Sequence, residues 1–206
     1  MKVFKKIFLT IFIGIVIILI SGYFWLRSTN PIYSGEINLS ELDQKVEVVF
    51  DDFGVPHIYA NNAHDAYMTL GYLQAQERLF QMEMIRRVTS GRLSELLGKS
   101  MVETDKTMLT LSITDMAQRS ADKFFENTDQ PYKKETLAYL KGVNNFIDNG
   151  KLPIEFTLLD FKPEHFKPVD VYTAIGYMAL SFTSALYQDP LATQILQNLG
   201  EEYLLD

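Results

Sequence analysis

From Ile7 to Leu26 the chain reads IFLTIFIGIVIILISGYFWL, without one charged side chain. As a helix, about 20 residues at 1.5 Å each reach ~30 Å, the thickness of a bilayer's hydrocarbon core. Lys2, Lys5 and Lys6 precede the run and only Arg27 follows closely, so the positive-inside rule keeps the N-terminus in the cytoplasm and sends the rest outward. Tyr23, Phe24 and Trp25 stand at the outer end, where amphipathic rings favour the interface. The rival reading is a cleaved signal peptide, which has a shorter apolar region and a small-x-small cleavage site. RSTNPIYSGE follows here and holds no such site. The run therefore predicts a retained anchor at residues 1–27, and either reading exports the body.

Residues 28–45 are polar with Pro31 and Gly35, a spacer between the membrane and a body at 46–206. Val46 to Phe50 alternates and is β-branched, Asp51-Asp52-Phe53-Gly54 is turn chemistry, and Val55 to Tyr59 returns extended, so a β-hairpin is expected. His64-Asp65 open a long helix rich in Leu, Gln, Glu, Arg and Met. On it Leu73, Phe80, Met84 and Val88 form one apolar stripe, with Tyr72 and Leu79 beside it. Glu83 precedes Arg87 by one turn in the favourable order. Gly91 stops the helix, and Gly98 ends a short turn after it.

Further helices are expected over Val102–Leu111, Thr114–Phe125 and Lys134–Asp148. Gly142 inside the last of these costs roughly 1 kcal/mol against Ala, which predicts close packing on a neighbour. A loop follows from Gly150 to Pro168. Pro168-Val169-Asp170 then starts a helix through Ser184, with Asp170 as its cap, and Asp189-Pro190 opens another running to Gly200.

Composition narrows the function classes. The chain carries 26 acidic against 19 basic residues, and because Lys2, Lys5, Lys6 and Arg27 stand in the anchor with no acid beside them, the body is more acidic still. No basic stripe invites nucleic acid. With no cysteine, disulfides and thiolate metal sites are excluded, and the 3 histidines are scattered at 57, 64 and 165. His57 by itself reads as a turn or core histidine. There is no G-x-S-x-G elbow, H-E-x-x-H, P-loop or G-x-G-x-x-G, so no self-contained active site is visible. The acid pairs Asp51/Asp52 and Glu201/Glu202 sit in polar stretches and read as solvated.

Gly71 to Gly98 reads GYLQAQERLFQMEMIRRVTSGRLSELLG. This order, GY-x-x-AQ-x-R-L-x-QME-x-x-RR-x-x-x-GR-L-x-E-x-LG, resembles the α-subunit of the penicillin acylase family of N-terminal-nucleophile amidohydrolases. The resemblance extends in order from about Val46 to Gly200. V-x-x-x-x-D-x-x-GVPHIYA is similar to the family's opening strand pair, and Gly142-x-Asn144 to its G-V-N signature. Leu152-Pro153-x-Glu155-Phe156 and Lys162-Pro163-Glu164 resemble further segments, with Phe166 where a Trp is usual.

The resemblance implies an α+β fold: the mainly helical α-subunit portion of an αββα sandwich, preceded here by one transmembrane helix. It implies an amidohydrolase cleaving the linear amide of N-acyl compounds, such as penicillin or cephalosporin side chains or acyl-homoserine lactones. The partner implied is a β-subunit from the same precursor, whose N-terminal Ser is the nucleophile and whose α-amine is the base. No catalytic residue is therefore assigned to this chain, and no organic cofactor is expected. The rival is a catalytically inert α-like module that only binds. For the acyl pocket the resemblance points to Met178 and Phe182, with Ser181 where the family often has Arg. For a structural calcium ion it points to Asp189 when aligned on Leu199-Gly200, and to Gln188 when aligned on Met178 and Phe182. Asp189 as a helix cap is the competing role.

Overall fold

A computed structural model describes residues 2–126 and 129–200. The described chain is mainly helical, with a single two-stranded sheet. Helix α1, Lys2–Ser28, contains the apolar run; its stretch Lys6–Ser28, 23 residues, is long and apolar enough to cross a membrane. The chain, α1 included, divides into two compact units. The first holds residues up to Phe80 together with Ala138–His165, and the second holds Gln81–Leu137 together with the chain from Phe166 onward.

In the first unit β1, Glu47–Phe50, pairs antiparallel with β2, Pro56–Tyr59, placing Val48 opposite Ile58 and Val49 opposite His57. The hairpin falls where the alternation predicts it. Val48, Phe50 and Ile58 are half-buried on one face, while Glu47, Val49, His57 and Tyr59 are exposed on the other. Asp51 organises the turn: its Oδ1 accepts the backbone N–H groups of Phe53 and Val55, each at 2.9 Å. Gly54 supplies the positive φ of 76° that a side chain would resist.

Helix α2, Ala63–Thr89, contributes Met68, Tyr72, Leu73, Ala75 and Leu79 to this unit's core. Opposite them lie Ala138, Leu140, Val143 and Phe146 of α6, which spans Pro131–Asn149. The two helices meet at glycines. A Cβ on Gly142 would run into the carbonyl oxygen of Met68, and one on Gly71 into that of Tyr139. The expected close packing at Gly142 is thus met by a second glycine on the facing helix. Tyr72 and Phe146 add an edge-on ring contact at 5.4 Å.

The second unit begins with the last turns of α2. Gly91 ends them at φ 64°. Helix α3, Ser94–Leu97, follows, then a 3₁₀ turn at Lys99–Met101, α4 at Val102–Leu111 and α5 at Ile113–Phe125. Ile113, Ala117 and Ala121 recur every four residues as the buried stripe of α5. That stripe lies along α8, Pro168–Asn198, where Gly176 makes room for the Ile113 side chain.

Three expectations are corrected. A short helix, α7 at Ile154–Leu158, interrupts the loop expected from Gly150 to Pro168 and buries Phe156. The C-terminal region is one helix rather than two, and Pro190 lies inside it. A proline there withholds one N–H from the helix ladder, but the surrounding residues are exposed, so water can take the orphaned carbonyl. Asp189 is consequently inside the helix and does not cap it. On α2 the buried set also departs from the predicted stripes. Phe80, Met84 and Val88 are only half-buried, while Glu83, Arg86 and Arg87 are buried.

Candidate functional site: one exposed face of helix α8 and its anchorage

Asp170 builds the start of α8. Its Oδ2 accepts the backbone N–H of Lys167 at 2.7 Å; the cap position itself belongs to Lys167, and Asp170, expected there, stands at the third helical position and closes the turn from inside. Pro168 stands at the first helical positions, where its missing N–H costs nothing. Thr173 is 2% exposed and faces inward. The other side of the helix is bare: Ile175, Met178, Phe182 and Leu186 form an exposed apolar stripe at helical spacing.

Met178 is 54% exposed and Phe182 65%, so neither belongs to a core in this chain. Ser181, beside them, is exposed and donates its hydroxyl to the Tyr177 carbonyl at 2.9 Å. The three residues expected to line an acyl pocket therefore share one accessible surface. Ile175 and Leu186 extend it by a turn at each end; their spacing to Met178 and Phe182 was the signal that would have found them.

The calcium expectation finds a single donor. Asp189 is exposed on α8 beyond the stripe, and Gln188 has a side chain outside the described residues. Among the described residues no three His, Asp or Glu side chains converge. Calcium takes six to eight oxygens. Asp189 would offer one carboxylate of such a set, so these residues do not form a site by themselves.

Behind α8 lies a buried ion network that the sequence shows only in part. Glu83 is fully buried and is bonded by both Arg86 and Arg87, the latter at 2.7 Å. Arg87 continues to Glu95 on α3 at 2.7 Å, and Arg92 binds the same carboxylate at 3.0 Å. The hydrogen bond from Arg92, helped by Arg87, holds the Glu95 carboxyl below its usual range against the opposing pull of burial. Arg86 lies 3.6 Å from Asp170, and its guanidinium stacks over Phe166 at 4.2 Å from the ring centre. Phe166 thus offers its ring face to a cation. Sequence spacing gives the Glu83–Arg87 pair; the reach from Arg86 to Asp170 depends on tertiary contact and is silent there.

Elsewhere, a cavity of about 1440 Å³ opens in the first unit between residues 32–48, the hairpin and α2. None of the expected site residues lines it. His57 is exposed on the hairpin, 3.3 Å from Asp51, which suits a surface pair.

Comparison with known proteins adds identity. The family model for penicillin amidase matches residues 45–206. The chain is 39% identical over 69% of its length to penicillin acylase 2 proenzyme of Pseudomonas sp. (strain SE83), covering 18% of that protein. It is 35% identical over 77% of its length to penicillin G acylase of Escherichia coli, covering 19% of it. To acyl-homoserine lactone acylase QuiP of Pseudomonas fluorescens (strain Pf0-1) it is 32% identical over 82% of its length, covering 20%. The chain thus spans about a fifth of the curated relatives it matches. Its structure resembles thermostable penicillin G acylase from Alcaligenes faecalis with a TM-score of 0.59 and 27% identity, covering 79% of this chain and 88% of that one. The hairpin, the long helix with its QMExxRR core and the C-terminal helix with its exposed Met–Phe face all fall within the matched region, and the chain belongs to the penicillin amidase family.

Proposed function

We propose that this chain is the α-subunit portion of an amidohydrolase that cleaves the linear amide of N-acyl compounds once joined to a β-subunit from the same precursor. The observation carrying the reading is the exposed Met178–Ser181–Phe182 face on a helix inside the family match. The relatives include penicillin acylases and acyl-homoserine lactone acylases, and these names support N-acyl compounds as the substrate class.

In this reading the β-subunit supplies the N-terminal Ser nucleophile, and its own α-amine removes the hydroxyl proton. Met178 and Phe182 grip the acyl group. Ser181 leaves an uncharged opening that admits aliphatic or larger acyl chains rather than selecting phenylacetyl. The hairpin contributes an edge to an αββα sandwich completed by the β-subunit, since a two-stranded sheet has unpaired edges on both sides. Asp189 gives one carboxylate to a structural calcium ion whose other ligands come from the β-subunit. The body, 46–206, stands outside the membrane on the spacer 28–45 and the anchor 1–27; the apolar helix and the lysines before it support that placement.

The test is hydrolysis by the assembled αβ protein. It should release free amine from penicillin G or from an N-acyl-homoserine lactone, while this chain alone releases none. An assembled protein inactive on every acyl amide tried, or a precursor lacking any Ser at a β-subunit start, would retire the reading.

A further inference from the structure

We propose that Arg86 is a positioning residue for acyl selectivity, holding through Asp170 the helix that carries Met178, Ser181 and Phe182. The proposal rests on the functional reading above and names the device that would tune it. One oxygen does two things: Asp170 Oδ2 accepts the Lys167 N–H that begins α8, and the same oxygen faces Arg86 Nη1. Arg86 is itself 8% exposed and is fixed from two other sides, by the buried Glu83 carboxylate and by the Phe166 ring just before α8. A planar guanidinium can satisfy these directions at once, which the single point of a lysine ammonium cannot.

The second hold on α8 is steric. Gly176 admits the Ile113 side chain so closely that a Cβ there would overlap its Cγ2. Asp170 and Gly176 are less than two turns apart and point in different directions around the helix. Held at both, α8 can neither slide nor roll, and Met178 follows directly after the second hold. The acyl-facing side chains themselves are exposed, so their placement depends on these holds and not on their own packing.

The chain has no cysteine, so labels can be placed at will. Nitroxides at Thr107→Cys on α4 and Thr183→Cys on α8, both exposed, should report one narrow distance distribution in the full chain in detergent. Arg86→Met should broaden or shift it by several ångströms. Asp170→Asn, which keeps an acceptor for the Lys167 N–H but removes the charge facing Arg86, should do the same with less loss of stability. Arg86→Lys should fall between. In the assembled enzyme, both Arg86→Met and Asp170→Asn should change the ratio of kcat/KM for short against long acyl chains by about tenfold, the scale on which one methylene is discriminated. Unchanged distances in both variants would overturn the clamp. Altered distances with every substrate depressed alike would show Arg86 to be structural only, and would overturn the selectivity role. A wild-type enzyme silent on all acyl amides would sink the functional reading and the selectivity role with it, while the distance measurement, which needs no catalysis, would still decide the clamp.

Discussion

Two buried carboxylates tie the chain together. Asp65, fully buried, accepts the backbone N–H groups of Asp43 and Gln44 at 2.8 and 3.0 Å and the Asn62 side chain at 2.7 Å. Asp105, 5% exposed, accepts those of Leu93 and Ser94 at 2.9 and 2.8 Å. Burial pushes both carboxyls upward, but these hydrogen bonds outweigh it and hold both below the usual range. A folded-state pKa below the unfolded value means stability that is present above about pH 4 and is lost as pH falls through the folded value. Asp105→Ala should therefore cost about 2–4 kcal/mol at neutral pH, from two stranded N–H groups, measured by denaturant unfolding. Its stability should also fall less steeply than wild type between about pH 4 and 2. Phe182→Ala should behave in the opposite way. At 65% exposure its loss should move the stability of this chain by no more than about 0.5 kcal/mol. In the assembled enzyme it should change kcat/KM by different factors for short and long acyl chains, by about 1–3 kcal/mol of discrimination. A uniform loss with a lowered Tm would point to packing instead.

Among the elements, the α2–α6 crossing is the most exacting. Intrinsic propensity says Gly71→Ala or Gly142→Ala should gain about 1 kcal/mol. Overlap with the Tyr139 or Met68 carbonyl should reverse the sign, to a net loss of about 1–3 kcal/mol in chemical unfolding. The hairpin, the breaks at Gly91 and Gly98 and the helices α2 and α4 to α6 were readable from the sequence because each is set by local chemistry: alternation, positive φ, helical period. Gly142 signalled its crossing because a glycine weakens the middle of a helix unless a neighbouring backbone comes close enough to need it. What stayed hidden is non-local. Glu83 and Arg87 read only as a pair one turn apart, since spacing along one helix cannot tell that Phe166, Asp170 and Glu95 arrive around it. Asp105 gave no sign, because its partners are backbone groups of another turn. Pro190 misled: a residue that usually ends a helix sits within an exposed one. Of the site, the Met178–Phe182 face was legible through the family resemblance and its spacing, and its anchorage was not.

For the molecule as a whole, topology is the expectation with the widest reach. A retained anchor predicts that the chain fractionates with membranes, that its mature form still begins near Met1, and that a protease added outside intact cells or spheroplasts cuts the body. A soluble exported form beginning near Ser28 would restore the signal-peptide reading.

The Gly71–Gly142 crossing carries a further consequence, in time. Its two halves belong to parts of the first unit that the second unit's Gln81–Leu137 separates along the chain. At about 5–20 residues per second, Gly71 is made roughly 4–14 s before Gly142. Throughout that interval the flank of α2 that ends against α6, with Met68 and Tyr72, has no permanent cover. Nascent chains caught at this stage are the ones a chaperone has reason to hold, and a rare-codon pause between the two glycines would lengthen its grip.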